Sequence, residues 1–378
     1  KKININREKE IPFDPLKNIT LNFDKKNLFH SNRIDFSANY HNNDQCFVTY
    51  YSVGGGFIEK KGKVEKIKDK SAIPYPIQKA EHIIKWSLSN KKSLAEISME
   101  NEMCWLGKEK IISSLDKVWE TMLNSIFLGC QTSGELPGGL NVKRRAKLLN
   151  DSLLGDSIYS SKYEWMDLIK NQNHELDVVT NWVSCFALAV NEVNASYGKI
   201  VTAPTNGAAG VIPAVLMYYL CFKKNNGRKD TREFLLVAGE IGMLFKKGAT
   251  ISAAAGGCQA EIGVSSAMAA AALVHVLGGT ILQVLMAAEI AMEHHLGLSC
   301  DPIMGLVQVP CIERNTMGAM KAITAAQLAL KSNPSDAKVS LDDVIKTMWK
   351  TGQDMMDKYK ETSEGGLAVQ VSINQPEC

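Results

Sequence analysis

The pattern of apolar and polar residues divides the chain into a short opening part with strand-like segments and a long part with helical periodicity. In the opening part, short runs rich in β-branched and aromatic side chains alternate with Asn, Asp and Lys clusters that favour turns. The predicted strands are residues 20–23, 34–40 and 46–52. Three strands are too few to bury a core alone. We therefore expect this part to belong to a larger β-containing domain or to lean on its neighbour.

Helical spacing predominates after Pro74-Tyr75-Pro76, where two prolines hold the backbone extended. In residues 114–127 the apolar side chains recur three and four positions apart, as on one face of a helix. Ser113 or Ser114 is the predicted N-cap of this helix, and Gly129 its predicted stop. The other predicted helices are residues 77–90, 178–193, 212–222, 233–245, 260–277, 281–294, 316–330 and 340–360.

Composition and charge are those of a globular protein without a nucleic-acid or membrane signature. Of 378 residues, 45% are hydrophobic and 22% charged, and the net charge is +3 with both signs interspersed. Residues 264–292 carry no charge before Glu289, as a membrane span would. Polar residues and the Gly278-Gly279-Thr280 break fall inside this run, so we predict two buried helices and no membrane span.

The cysteines indicate a reducing compartment. Nine of them, an odd number, are spread along the chain without dense spacing or a secretory signal, which predicts a cytoplasmic protein. Five are expected to behave as small core hydrophobes because they lie in apolar or helical surroundings. These five are Cys46, Cys104, Cys130, Cys185 and Cys221.

Three other cysteines, Cys258, Cys300 and Cys311, lie near glycines or prolines, where the backbone can approach a group that is not protein. The 41 residues between the first two and the ten between the last two match neither zinc-finger pairs nor bacterial ferredoxins. Spacing alone therefore leaves a metal site open. Three thiolates would suit a [4Fe–4S] cluster with one uncapped iron, which can act as a Lewis acid on a substrate oxygen.

Two loops have glycine-rich sequences that lead into predicted helices. Residues 133–140 precede Lys143-Arg144-Arg145, and residues 203–210 open the helix that follows them. Both place free backbone N–H groups near a helix N-terminus, which is a natural seat for a carboxylate. A plain connection between helices is the alternative for each loop.

Five segments together resemble the iron–sulfur L-serine dehydratases over almost the whole chain: residues 50–57, 133–140, 203–210, 256–261 and 300–315. The last of these is the most specific. The resemblance implies an α+β fold, with a partial, small β-containing domain at 1–72 and a large all-helical catalytic domain at 73–378. It also implies a [4Fe–4S] cluster at Cys258, Cys300 and Cys311, no pyridoxal phosphate, and conversion of L-serine to pyruvate and ammonia.

The opening part departs from the family pattern. Single-chain members carry a Ser-Ser-His-Thr motif linked to substrate handling, and none of the seven histidines here has that context. We expect that the start of the β-containing domain is absent, and with it part of the active site.

The tail, residues 367–378, ends in Cys378. At about 3.3 Å per residue a tail of this length reaches roughly 40 Å. A C-terminal cysteine carries a carboxylate and a β-thiol where L-serine carries a carboxylate and a β-hydroxyl. The family resemblance implies that the tail enters the active site, so Cys378 is the predicted fourth, exchangeable ligand. A frayed terminus is the alternative.

The predicted catalytic residues are Lys143, Asn206 and Arg314. Lys143 and Arg314 are candidate cations for the substrate carboxylate, and the N–H groups around Asn206 are helpers. Structural salt bridges are the alternative for both cations. A base must remove the weakly acidic Cα proton, and the sequence does not identify it. The poorer candidates, which we expect to serve structure, are Glu135, Glu261 and Glu293.

The sequence leaves open two alternatives to an iron–sulfur dehydratase. A pyridoxal-phosphate dehydratase would need a Schiff-base lysine and a phosphate cup, for which the glycines at 54–56 are thin support. A non-enzymatic scaffold would hold a structural zinc or iron–sulfur centre. Within the enzyme class, L-cysteine or L-threonine could replace L-serine.

We predict an oxygen-sensitive homodimer that serves amino-acid degradation and gluconeogenesis and binds neither nucleic acid nor membrane.

Overall fold

The computed structural model describes residues 2–5, 8–20, 33–40, 44–52, 55–62 and 73–371. The chain separates into two compact units, one of residues 1–53 and 58–63, the other of residues 54–57 and 64–378. Each unit is described by itself.

The smaller unit contains two antiparallel sheets and a short helix, α1 (Pro15–Asn18). Strands β1 (Lys2–Ile5) and β2 (Lys9–Pro12) form one sheet, and β3 (Arg33–Asn39), β4 (Gln45–Ser52) and β5 (Ile58–Lys60) form the other in that order. The strands predicted at 34–40 and 46–52 are confirmed as β3 and β4. The strand predicted at 20–23 falls almost entirely outside the described residues, and β1, β2 and β5 were not predicted.

The larger unit is helical, which confirms the predicted fold class of a mainly helical part preceded by a small α+β region. Its helices are α2 (Ala80–Asn90), α3 (Leu94–Glu102), α4 (Lys108–Gln131), α5 (Ala146–Leu154), α6 (Lys162–Lys170), α7 (Leu176–Ala195), α8 (Val211–Phe222), α9 (Arg228–Gly248), α10 (Ala253–Gly256), α11 (Ile262–Val276), α12 (Ile281–Glu293), α13 (Cys311–Lys331), α14 (Leu341–Asp354) and α15 (Leu367–Gln370).

Helix α11 forms the centre of this unit. Every residue from Ile262 to Val274 is buried, and the helix packs against α8, α9, α12 and α13. An apolar surface on all sides is what a helix needs when other helices surround it. The two buried helices predicted for residues 264–292 are thus confirmed as α11 and α12. Among the described residues, no helix combines the length and hydropathy that crossing a bilayer requires.

The predicted limits of the fourth helix were wrong. Helix α4 begins at Lys108 with Gly107 as N-cap and continues to Gln131, so neither Ser113 nor Ser114 caps it. Gly129 does not stop the helix but lies buried inside it, where a Cβ atom would collide with the backbone of Ala189 on α7. Glycine is required there by the close approach of two helices, a tertiary constraint that local sequence does not reveal.

Three short helices were not predicted, and the last long helix ends earlier than predicted. Helices α3, α5 and α6 were not predicted; each has nine residues, too few to be stable without tertiary contacts. The last long helix has the predicted N-cap, Ser340, whose Oγ accepts a hydrogen bond from Asp343 N. It ends at Asp354, earlier than predicted, and a 3-10 turn at Asp357–Tyr359 follows.

Substituting Gly129 by alanine is expected to lower the free energy of unfolding by about 1–3 kcal/mol, because overpacking forces α4 and α7 apart. Gly239 in α9 is the matched control, since a Cβ atom there meets nothing within 4 Å. Gly239→Ala is expected to stabilise the helix by about 0.5–1 kcal/mol. Denaturant unfolding of both variants measures the difference, and a Gly129→Ala protein as stable as wild type would contradict the packing argument.

Candidate active site

Cys258 begins a 3-10 turn, Cys258–Ala260, that leads into α11. The preceding Gly257 has φ 74°, a conformation that favours glycine. A Cβ atom on Gly257 would lie 2.8 Å from the carbonyl oxygen of Leu298. The glycine therefore lets Cys258 pack closely against the loop that carries Cys300.

Cys300 is positioned by the segment that follows α14. Its N–H donates to the carbonyl of Tyr359 over 2.7 Å, and its own carbonyl accepts from Glu361 N over 2.8 Å. Two residues further on, the carbonyl of Pro302 accepts a hydrogen bond from Ser363 Oγ at 2.6 Å. The chain near the C-terminus thus runs along the cysteine loop and fixes it.

Cys311 is the first residue of α13, and the fully buried Asn315 holds this helix start in place. Asn315 Nδ2 donates to the carbonyls of Cys311 at 2.8 Å and Gly207 at 2.7 Å. Its Oδ1 accepts from Gly210 N at 3.0 Å. One side chain thereby joins the glycine-rich loop 203–210 to the helix that begins with a predicted cluster cysteine.

Buried cysteines and a carboxylate converge between these segments. Cys258 Sγ, Cys300 Sγ and a carboxylate oxygen of Glu261 lie within 4.8 Å of one another, so these three side chains could hold a metal. Cys311 is also a buried free thiol. It lies close enough that the charge on Cys258 helps to raise its pKa, although desolvation is the larger cause.

Glu261 was expected to serve structure, and the metal-ligand geometry of its carboxylate was not anticipated. A Cβ atom on Gly207 would lie 3.0 Å from Glu261 Oε2, so the glycine makes room for this side chain. Desolvation, followed by the charge on Cys258, raises the pKa of Glu261 well above its usual value. Its position three residues after Cys258, at the start of α11, was the available signal in the sequence.

Arg314 supplies the positive charge of the site. Its Nη1 donates to Cys258 Sγ at 3.2 Å and to the carbonyl of Ser299 at 2.8 Å, and its Nη2 to Asp301 Oδ1 at 2.8 Å. The pKa of Cys258 is lowered by the hydrogen bond from Cys300 and then by the charge of Arg314. The same contact with Cys258 raises the pKa of Cys300. The sulfur of Cys258 is thus favoured as a thiolate, the form that binds metals.

The other predicted site residues lie apart from these contacts. Lys143 is exposed, and its backbone pairs with Glu135 in an antiparallel bridge. Asn206 is also exposed, and its Oδ1 accepts from Thr202 Oγ1 at 2.7 Å. The fourth predicted ligand, Cys378, lies outside the described residues. The structure therefore brings together Cys258, Cys300, Cys311 and Arg314, while the roles of Lys143, Asn206 and Cys378 stay predictions.

Asp301, which is 4% exposed, was not predicted as a site residue. Besides the ion pair with Arg314, its Oδ2 accepts from Leu367 N at 2.9 Å. Gly366, with φ 59°, lies so close that a Cβ atom would collide with the Asp301 carboxylate. Asp301 therefore connects the guanidinium on the Cys258 sulfur to the start of the C-terminal segment. Its position next to Cys300 was the sequence feature that could have identified Asp301 as a site residue.

The sequence of the chain matches known proteins over most of its length. Residues 89–368 match the family model described as serine dehydratase alpha chain, and residues 1–63 match the one described as serine dehydratase beta chain. An L-serine dehydratase of Haemophilus influenzae is 47% identical over 91% of this chain and 73% of its own length. L-serine dehydratase TdcG of Escherichia coli is 46% identical over 85% of this chain and 68% of its own. An L-serine dehydratase of Helicobacter pylori is 42% identical over 97% of this chain and 78% of its own length.

Proposed function

The chain belongs to the serine dehydratase family, and we propose that it converts L-serine to pyruvate and ammonia at a [4Fe–4S] cluster. The observation that carries the proposal is the convergence of buried free thiols with a guanidinium on the Cys258 sulfur. Dispersed cysteines with no disulfide among the described residues agree with a reducing, cytoplasmic location.

The donor set fits such a cluster. Cys258, Cys300 and Cys311 would each bind one iron through a thiolate, and because all three are buried, water would be kept from these ligands. The fourth iron, when the cluster is bound, supplies a Lewis acid for departure of the substrate hydroxyl. Arg314 offsets the negative charge of the thiolates, and Asp301 holds the guanidinium in position.

The reaction eliminates water and then consumes it. A base removes the Cα proton of L-serine while hydroxide leaves Cβ, which gives aminoacrylate and one water molecule. Aminoacrylate tautomerises to an imine, and water hydrolyses the imine to pyruvate and ammonia. Lys143 and the N–H groups around Asn206 would hold the carboxylate, and Asn315 anchors the loop that carries Asn206 to α13.

Anaerobic reconstitution of the full-length protein with iron and sulfide, followed by a pyruvate assay, tests the proposal. We expect about four iron and four sulfide per chain and pyruvate from L-serine, with L-cysteine and L-threonine as competing substrates. Absence of pyruvate from protein that carries the cluster would overturn the assignment. Bound zinc would instead favour a structural metal centre, and a cofactor absorbance that survives air would favour pyridoxal phosphate.

Cys378→Ser is expected to lower the L-serine concentration needed for half-maximal rate, because a competing thiolate is removed. The same change should shorten the lifetime of the cluster in air. Cys46→Ser is the matched control, since Cys46 is an exposed free thiol and not the core residue that the sequence predicted. If both variants have the KM and cluster lifetime of the wild type, the terminal cysteine is not a ligand.

A further inference from the structure

Buried polar atoms without a hydrogen-bond partner concentrate near the start of α13. Within the described residues, five side-chain atoms are of this kind: Ser98 Oγ, Asn191 Oδ1, Gln308 Oε1, Glu313 Oε2 and Thr316 Oγ1. Two belong to α13 itself, Gln308 lies just before it, and Asn191 lies against Gly210 beside Asn315. Buried polar groups in folded proteins are normally paired, so this concentration indicates where a ligand supplies the missing partners.

Gln308 presents one of these atoms in a fixed orientation. The residue is 2% exposed, and its Nε2 donates to the carbonyl of Pro137 at 2.5 Å. Exchanging the amide oxygen and nitrogen would place two acceptors against each other, so the assignment is determined by chemistry. Oε1 is therefore an acceptor that the described residues do not use.

The loop of residues 133–140 packs closely on this side chain because it carries Gly138. The φ of Gly138 is 112°, and a Cβ atom there would lie 2.7 Å from Leu306 Cδ1 and 3.6 Å from Gln308 Nε2. A larger residue at Gly138 would clash with the Leu306 side chain and would be strained by the positive φ, so glycine allows the loop to pack here.

Glu313 presents a second acceptor two residues after Cys311. The Glu313 side chain is 44% exposed; its Oε1 accepts from Arg145 Nη2 at 2.7 Å, while its Oε2 atom is buried and has no partner among the described residues. Residues 137–145 thus contact both side chains, Pro137 at Gln308 and Arg145 at Glu313. Both unpaired atoms are oxygens, and they come from residues on either side of a predicted cluster cysteine.

We propose that Gln308 and Glu313 bind the ammonium group of L-serine through these two oxygens. The inference rests on the proposed function, which accounts for the substrate carboxylate and hydroxyl but leaves the ammonium without a partner. An ammonium has three donors and no acceptor, so unpaired amide and carboxylate oxygens are its complement. Such a pocket distinguishes an amino acid from the corresponding hydroxy acid, whose hydroxyl has a single hydrogen to donate and would leave one of the two acceptors unpaired.

Gln308→Met tests the proposal because methionine keeps the length of the side chain and removes the acceptor. We expect the KM for L-serine, and its Kd measured by calorimetry, to rise about ten- to hundredfold, the effect of a lost hydrogen bond to a charged group. Inhibition by 3-hydroxypropionate, which lacks the amino group, should change by less than about twofold. Gln308→Glu retains the acceptor and, in its protonated form, still donates to the carbonyl of Pro137, so it is expected to keep the KM within a few-fold of wild type.

Gln327→Met is the matched control, since Gln327 is exposed on α13, the helix that Gln308 precedes. The thermal stability of each cluster-free variant shows whether the fold is intact. The proposal is overturned if Gln308→Met and Gln308→Glu weaken L-serine binding equally, or if L-serine and 3-hydroxypropionate lose affinity in parallel. In either case wild-type protein still forms pyruvate, whereas wild-type protein that forms none would overturn the proposed function itself.

Discussion

Replacing Cys311 by serine is expected to lower pyruvate formation at least about a thousandfold while the protein stays folded. A serine hydroxyl is not ionised at neutral pH, so one of the three thiolates that would hold the cluster is lost. The Lewis acid then contributes none of the several kcal/mol that a metal supplies to departure of an oxygen. Since each 1.36 kcal/mol changes a rate tenfold, the loss of rate should be of this order.

Iron and sulfide content, measured beside the pyruvate assay, separates loss of the cluster from loss of catalysis. Cys104→Ser is the matched control, because Cys104 is a half-buried thiol in the same unit whose Sγ lies 3.8 Å from the carbonyl of Glu100. We expect this variant to keep its iron and its rate. A Cys311→Ser protein with full iron and the wild-type rate would exclude Cys311 as a ligand.

Periodicity predicts the fold wherever a helix has one apolar face or is buried on all sides. Helices α11 and α12 were found in this way because an uncharged stretch interrupted by Gly278-Gly279 has few other interpretations. Gly129 shows what periodicity cannot predict. Glycine can end a helix or lie inside one, and at Gly129 only the close contact with Ala189 on α7 explains why the helix continues.

The candidate site likewise contains residues that local sequence identifies and residues that only tertiary contacts identify. Cys258, Cys300, Cys311 and Arg314 could be selected because they lie in specific motifs. The residues that position them are defined by segments far apart in the chain. Asn315 matters because it binds Gly207, more than a hundred residues earlier, and this pairing leaves no local pattern in the sequence.

Arg314→Met is expected to lower the free energy of unfolding by about 3–5 kcal/mol, the usual cost of removing one partner from a buried ion pair. The side chains of Arg314 and Asp301 are 15% and 6% exposed, so the remaining carboxylate would be a buried charge with Leu367 N as its described donor. Arg232→Met is the control, because Arg232 forms an ion pair with Asp116, here through two hydrogen bonds, at greater exposure of both side chains, 29% and 23%. There we expect a loss of about 1 kcal/mol or less.

Combining Arg314→Met with Asp301→Asn separates the effect of Arg314 on the stability of the fold from its effect on the cluster that Cys258 would bind. The double variant has no unpaired buried carboxylate, so denaturant unfolding should show that most of the lost stability returns. It still lacks the guanidinium that donates to Cys258 Sγ, so its cluster should decay in air as fast as that of Arg314→Met. If the double variant recovers both stability and cluster lifetime, Arg314 serves only to pair with Asp301. If only stability returns, the charge beside Cys258 stabilises the cluster itself.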